Sequence, residues 1–294
     1  MALVLLVARA QNISTLAGNG ADGYNGDGIP ATLAQLNVPE SVAVDAVGNL
    51  YIADHVNDRV RMVLANGTIT TLAGTATGGF NGDGIPASLA QLSRPAYVTI
   101  DVDGNVLIAD MDNHRIRKVF AANGTICTIA GTGVRGYNGD GIPATLAELS
   151  APGGTAMDVN GNVYIADTLN QRVRKVLANG TITTFAGNGN SGYNGDGIPA
   201  SSATIGCPFD VALGSHGSIL IADTCNNRVR RVLANGTITT IAGTHEQGFN
   251  GDGIPATSAC LSYPSSVMED ASGRVFITDS SNNRIRVIDA PSHL

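Results

Sequence analysis

The sequence predicts an all-β propeller of five four-stranded blades, and three observations predict it. The motif Asn-Gly-Asp-Gly recurs at Asn25, Asn81, Asn138, Asn194 and Asn250, a step of 56 or 57 residues. A fixed step of that size marks one supersecondary unit stacked on copies of itself. Each step contains four strand-like runs separated by turn residues. The composition agrees: 43% hydrophobic residues provide a core, and 37 glycines in 294 residues provide tight turns.

The runs of the first unit stand for the rest. Ser41-Val42-Ala43-Val44 opens it and closes on Asp45 and a turn through Gly48-Asn49. Leu50-Tyr51-Ile52-Ala53 follows, apolar on both faces as a strand sandwiched between blades should be. Its ending, a hydrophobic residue followed by Ala and Asp, returns at Asp54, Asp110, Asp167 and Asp223, and at Asp279 with Thr278 in place of the alanine. Arg59-Val60-Arg61-Met62-Val63 alternates charge with hydrocarbon, the pattern of a half-exposed strand. Asn66-Gly67 makes a two-residue hairpin turn, and Thr68-Ile69-Thr70-Thr71-Leu72 is a β-branched fourth strand.

The two ends complement one another. Ile13-Ser14-Thr15-Leu16-Ala17-Gly18 matches a fourth strand, and the last unit stops after its third, Arg284-Ile285-Arg286-Val287-Ile288. The expectation is a single domain over residues 1–294 in which the N-terminal strand completes the C-terminal blade, closing the ring and hiding its sheet edges. Residues 1–10 fit two readings. One is a strand remnant of the repeat. The other is a signal remnant, because Ala8-Arg9-Ala10 has the form of a secretory cleavage site, although no basic leader precedes it.

Pro39-x-x-Val42-Ala43-Val44-Asp45, Gly48-Asn49-Leu50-Tyr51-Ile52-Ala53-Asp54 and Asn57-Asp58-Arg59-Val60-Arg61 together resemble the NHL repeat, and the match recurs in all five units. The resemblance is nearest to repeats with a Gly-Asp-Gly-x-Pro-Ala insert, as in secreted bacterial NHL proteins and teneurin-like ectodomains. It implies a propeller, most often of six blades, where this sequence supplies five. It also implies an extracellular protein or the ectodomain of a larger one, with a cytoplasmic location as the alternative.

A blade needs about 40–50 residues. The surplus here is an insert from Gly18 to Leu36. Pro30 fits the first turn of a short helix, with Ala31, Ala34 and Leu36 on its buried side. An aromatic precedes each Asn-Gly-Asp-Gly (Tyr24, Phe80, Tyr137, Tyr193 and Phe249) and reads as an apolar anchor for the insert. Blade geometry puts the insert on the same face as the loops joining second to third strands. The candidate binding residues are therefore Asp27, Asp83, Asp140, Asp196 and Asp252 with Asp54, Asp110, Asp167, Asp223 and Asp279, two acidic rings on one loop face. Calcium is one reading of such rings, since hard cations take carboxylate and carbonyl oxygens. The favoured reading is that the carboxylates accept backbone N–H bonds and hold turns, because Asn-Gly-Asp-Gly lacks the oxygens of a helix–loop–helix calcium loop. On that reading no cofactor is expected.

The remaining residues narrow the function class. A net charge of −7 disfavours nucleic acid, which needs a clustered basic face. The recurring arginines (Arg59/Arg61, Arg115/Arg117, Arg172/Arg174, Arg228/Arg230 and Arg284/Arg286) pair more naturally with the nearby carboxylates. The five histidines fall at non-equivalent positions, and no serine elbow or P-loop is present. Cys207 and Cys225 fall on the same face of the fourth blade and are a candidate disulfide in an oxidising compartment, against the alternative of four small buried thiols. Asn12, Asn66, Asn123, Asn179 and Asn235 open glycosylation sequons, although turn chemistry alone explains the last four. No stretch has the character of a transmembrane segment. The expectation is a non-enzymatic scaffold or binding module presenting its loop face to a protein or carbohydrate. The alternatives are a metal-dependent hydrolase or lyase using the central channel and an RNA-binding propeller.

Overall fold

Strand-forming runs joined by obligatory turns leave little choice but repeated antiparallel hairpins, and a computed structural model describing residues 13–290 has that form. The inner strands of blades one to five are Pro39–Val44, Pro95–Ile100, Pro152–Met157, Pro208–Leu213 and Pro264–Glu269. The second strands are Leu50–Asp54, Val106–Asp110, Val163–Asp167, Ile219–Asp223 and Val275–Asp279. The third strands are Arg59–Val63, Arg115–Val119, Arg172–Val176, Arg228–Val232 and Arg284–Ile288. Blades one to four add outer strands Thr68–Ala73, Thr125–Ala130, Thr181–Ala186 and Thr237–Ala242.

Registers repeat from blade to blade. In the first, Ala53 lies opposite Val60, and a bulge separates Val60, opposite Ala73, from Arg61, opposite Thr71. That extra residue bends the outer strand at the rim. The core lies between blades: Ala53, Val60 and Ala73 of blade one pack with Val98, Ile108 and Val119 of blade two.

The inserts are shorter in helix than the sequence suggests. Ile29–Pro30 forms a fifth, two-residue strand, with Ile29 opposite Ile69 and Pro30 opposite Thr68. Only Ala31–Leu33 then turns, as one turn of 3-10 helix, so Pro30 precedes the helix in an extended conformation. Ala31 and Ala34 are buried as expected, and Leu36 is half-buried.

The ends depart from expectation. The last blade has three strands, and residues 13–18 form no strand on it. The Gly18 N–H instead donates to the Ala31 carbonyl, and the Asn19 N–H to that of Ala34, both at 2.9 Å. Gly74 is tied to Ala87 of the next insert in the same way, so residues 13–18 stand on the open flank of blade one. Inner strands pack in series from blade one to blade five. The outer faces of the series stay open: Val42 is 62% exposed where its counterpart Val98 is 4%, and Ile285 is 68% exposed where Val173 is 0%. Among the described residues, the five blades form a ring with a gap.

Candidate binding site at the channel mouth

Carboxylates next to guanidinium groups in a dry interior must pair, because a lone buried charge is too costly. Every blade shows the result. Arg61, fully buried, donates from Nη2 to the Gly26 carbonyl and to Asp27 Oδ1, each at 2.9 Å, while its Nη1 lies 3.7 Å from Asp54 Oδ2. The Arg117 guanidinium meets Asp83 and Asp110, Arg174 meets Asp140 and Asp167, Arg230 meets Asp196 and Asp223, and Arg286 meets Asp252 and Asp279. Asp54 also accepts the Asn37 N–H at 2.7 Å and the Asn57 side-chain amide at 2.8 Å. Asn57 in turn donates to the Gly23 carbonyl. The ten candidate aspartates therefore bind each insert to its blade, the Asp54 series fully buried and the Asp27 series partly exposed. Burial raises the carboxyls of Asp110, Asp167 and Asp223 to about 6, outweighing the lowering by their amide and arginine partners. Among the described residues no three His, Cys, Asp or Glu side chains converge on a common point.

The aromatic of each insert is held by cations as well as by apolar contact. Arg59 lies 3.8 Å and Arg61 4.7 Å from the Tyr24 ring centre, and the same stack recurs on Phe80, Tyr137, Tyr193 and Phe249. Such a stack is worth about 0.5–2 kcal/mol, depending on burial.

Above this repeated frame the chain makes two left-handed turns per blade. The second-to-third-strand loops end on Asp58, His114, Gln171, Asn227 and Asn283 at φ between 52° and 54°. The residues before the inner-strand prolines (Val38, Arg94, Ala151, Cys207 and Tyr263) have φ between 46° and 51°. A non-glycine residue is disfavoured there. Four of the five joints are held by the preceding blade: Asp58 accepts the Arg94 N–H at 2.8 Å, His114 Nδ1 that of Ala151 at 3.2 Å, Gln171 that of Cys207 at 2.5 Å, and Asn227 that of Tyr263 at 3.0 Å. Burial holds His114 below the usual histidine range, which keeps Nδ1 free to accept.

These joints aim unlike side chains at the mouth of the axial channel. Val38, Val56, Arg94, Asp112, Leu169 and Tyr263 are exposed around it. Arg94 lies 3.7 Å from Asp112, and His55 lies 3.6 Å from Glu40, a carboxyl raised by burial against the pull of His55 and Arg94. Below the mouth the axis is filled. The rings of Tyr97 and Phe209 meet edge-on at 5.9 Å, and the Tyr97 hydroxyl reaches across to the Ser265 carbonyl at 2.7 Å. Asp210 accepts from Ser266 Oγ at 2.7 Å and from the Val267 N–H at 3.1 Å. Cys207 and Cys225 sit side by side at the rim, as the sequence suggests, but as free thiols. Burial and the adjacent Cys207 push the Cys225 thiol up to about 12.

Sequence reasoning emphasised the repeated residues and missed these variable ones. The signal was present: after each inner-strand proline stand Glu40-Ser41, Ala96-Tyr97, Gly153-Gly154, Phe209-Asp210 and Ser265-Ser266, no two pairs alike.

No protein-family model matches the chain. Among curated proteins, it is 27% identical over 283 residues to NHL repeat-containing protein 2 of Homo sapiens, covering 85% of this chain and 38% of that protein. It is 30% identical over 258 residues to teneurin-4 of Mus musculus, covering 76% of this chain and 9% of that one. Its homologues thus include NHL repeat-containing protein 2 and the NHL regions of teneurins. The chain is also 29% identical over 272 residues to protein suppressor of quenching 1, chloroplastic, of Arabidopsis thaliana, covering 87% of this chain and 25% of that protein. It thus spans well under half the length of these relatives. Among solved structures, the nidogen/laminin complex superposes with a TM-score of 0.58 at 17% identity, covering 86% of this chain and 76% of that chain. Streptogramin B lyase superposes at 0.52 and 15%, covering 87% and 70%. At those identities the chain shares their fold alone.

Proposed function

We propose that this propeller is a non-enzymatic binding module that presents its loop face, around the channel mouth, to a protein partner. One observation carries the reading. The residues common to all blades are consumed inside the frame, whereas the residues that differ among blades gather, exposed, at one mouth. A surface mixing Tyr263, Arg94 and exposed Val38 and Leu169 has the aromatic, arginine and aliphatic character of a protein interface. The nidogen/laminin complex, a protein assembly, fits the same reading, while streptogramin B lyase shares the fold as well, so the choice rests on residues and not on fold. The filled axis favours recognition at the surface over chemistry in the channel.

The test places a photo-crosslinking residue at Arg94, at Tyr263 and, on the opposite face, at Asn235, in cells that express the chain. The expected result is a discrete protein adduct from the first two positions, absent at Asn235 and lost when Val38 and Leu169 become aspartate. Equal labelling from both faces, or adducts with glycan instead of protein, would reject a protein partner at the mouth.

A further inference from the structure

On the face opposite the mouth, the cleft between blades three and four differs from its neighbours in one ion pair. Third strands carry a cation at the same register in three blades: Lys118, Lys175 and Arg231. Lys118 is paired with Asp101 at 2.8 Å, and Arg231 with Glu269 of the following blade at 2.7 Å. Lys175 makes no ion pair among the described residues, and its ammonium lies 5.0 Å above the Tyr164 ring.

Two substitutions within the repeat account for this. Leu213 occupies the inner-strand position that Glu269 holds in blade five. Asp158 makes the same turn as its counterpart Asp101, accepting from the N–H groups of Asn160 and Asn162 at 3.0 and 2.9 Å and from the Asn162 amide at 2.8 Å, but without the lysine contact that Asp101 adds. The Tyr164 hydroxyl, absent from Leu107 in blade two, also leans on Asp158 at 3.4 Å. Beside the unpaired cation is a cavity of about 500 Å³. Phe185, edge-on to Tyr164 at 4.9 Å, and the side chains of Leu213, Leu233 and Val159 give it apolar walls.

We propose that this cleft binds a small organic anion with a flat apolar body, its carboxylate on Lys175 and its body against Phe185, Leu213 and Leu233. The ammonium stands over the Tyr164 ring, and Asp158, which feels its charge from the cavity wall, does not contact it, so a carboxylate that reaches Lys175 gains a charged hydrogen bond, stronger than a neutral one. The apolar walls favour an anion with an apolar body over a bare inorganic one, which has nothing to set against them.

Phenylacetate is the probe, titrated into the full chain and followed residue by residue by NMR, with phenylacetamide as its uncharged counterpart. The expected result is saturable shifts at Tyr164, Lys175 and Leu213, with the amide weaker by about tenfold or more, the equivalent of one charge-assisted hydrogen bond. Lys175→Met places the residue that blade one carries at this position, Met62, so the fold tolerates it. Leu213→Glu supplies the carboxylate that Arg231 already has. Each variant is expected to keep its melting temperature and to lose phenylacetate affinity by about tenfold. Absence of saturable shifts at the cleft, equal affinity for the amide, or undiminished binding by Lys175→Met would overturn the site.

Discussion

At the scale of single residues, the protein is organised around guanidinium groups, four of them fully buried, that tie each insert to its blade. Arg117 meets two carboxylates and one carbonyl from full burial, so its removal leaves Asp110 buried with only its Ser93 and Asn113 hydrogen bonds. Arg117→Ala is expected to cost about 3 kcal/mol in equilibrium denaturation, as for other broken buried pairs, where a surface pair costs under about 1 kcal/mol. A loss in the lower range would mean that water reaches the pair in solution. Asp210 makes a different prediction, because serine and backbone groups satisfy it and Tyr97 faces it, with no cation paired to it. Burial raises its carboxyl from 3.8 to about 6, so the folded chain holds a proton that the unfolded chain releases between those values. Its contribution is complete below the unfolded value and is lost as pH rises through about 6. Asp110, Asp167 and Asp223 act with the same sign. Asp270, held low by Ser272 and Arg274, acts with the opposite sign at more acidic pH, so the useful comparison is between parent and variant. Asp210→Asn is expected to flatten the fall in unfolding free energy between about pH 4 and 6. An unchanged slope would place the titration elsewhere.

At the scale of elements, the inner strands decide how the blades meet. Gly153-Gly154 of blade three lies so close to Phe209-Asp210 of blade four that a Cβ on Gly154 would run into the Asp210 carboxylate and backbone. Gly154→Ala is therefore expected to lower stability by about 1–3 kcal/mol, the usual cost of overpacking, although alanine is otherwise a mild change. Gly180→Ala, in a turn with open space around it, is the comparison for backbone strain alone, since its φ is 84°. If the two variants melt together, the close approach is not what Gly154 provides. The strands themselves were legible because period-2 patterning and Asn-Gly turns are local signals, and the pairing of Arg61 with Asp54 followed from their recurrence at one spacing. The channel mouth was not legible in the same way. Left-handed backbone at Arg94 or Tyr263, directly before proline, is held by a side chain of the preceding blade, and no local propensity announces it.

At the scale of the whole molecule, the repeat made the blade number readable but not the closure. A fourth-strand sequence at residues 13–18 and a last blade lacking its fourth strand are compatible with one another, yet compatibility does not bring them together. The spacing of the blades is set on the axis, where Tyr97, Phe209 and Asp210 fill the space between inner strands, and that is a property of packed side chains far apart in sequence. The open flank has a measurable consequence. Val173 and Ile285 occupy the same register of blades three and five, opposite Ala166 and Thr278. Val173 is sealed between blades, and a carboxylate there would be buried without a partner, so Val173→Glu is expected to unfold the chain or to lower its melting temperature severely. Ile285, exposed on the flank, should accept the same substitution within about 0.5 kcal/mol. Removing an apolar side chain from an unpaired sheet edge should also reduce self-association. Calorimetry on the two variants, with sedimentation to follow association, decides between an open and a covered flank. Should Ile285→Glu prove as damaging as Val173→Glu, then that face is buried in solution, and the segment at residues 13–18 would be the first group to test as its cover.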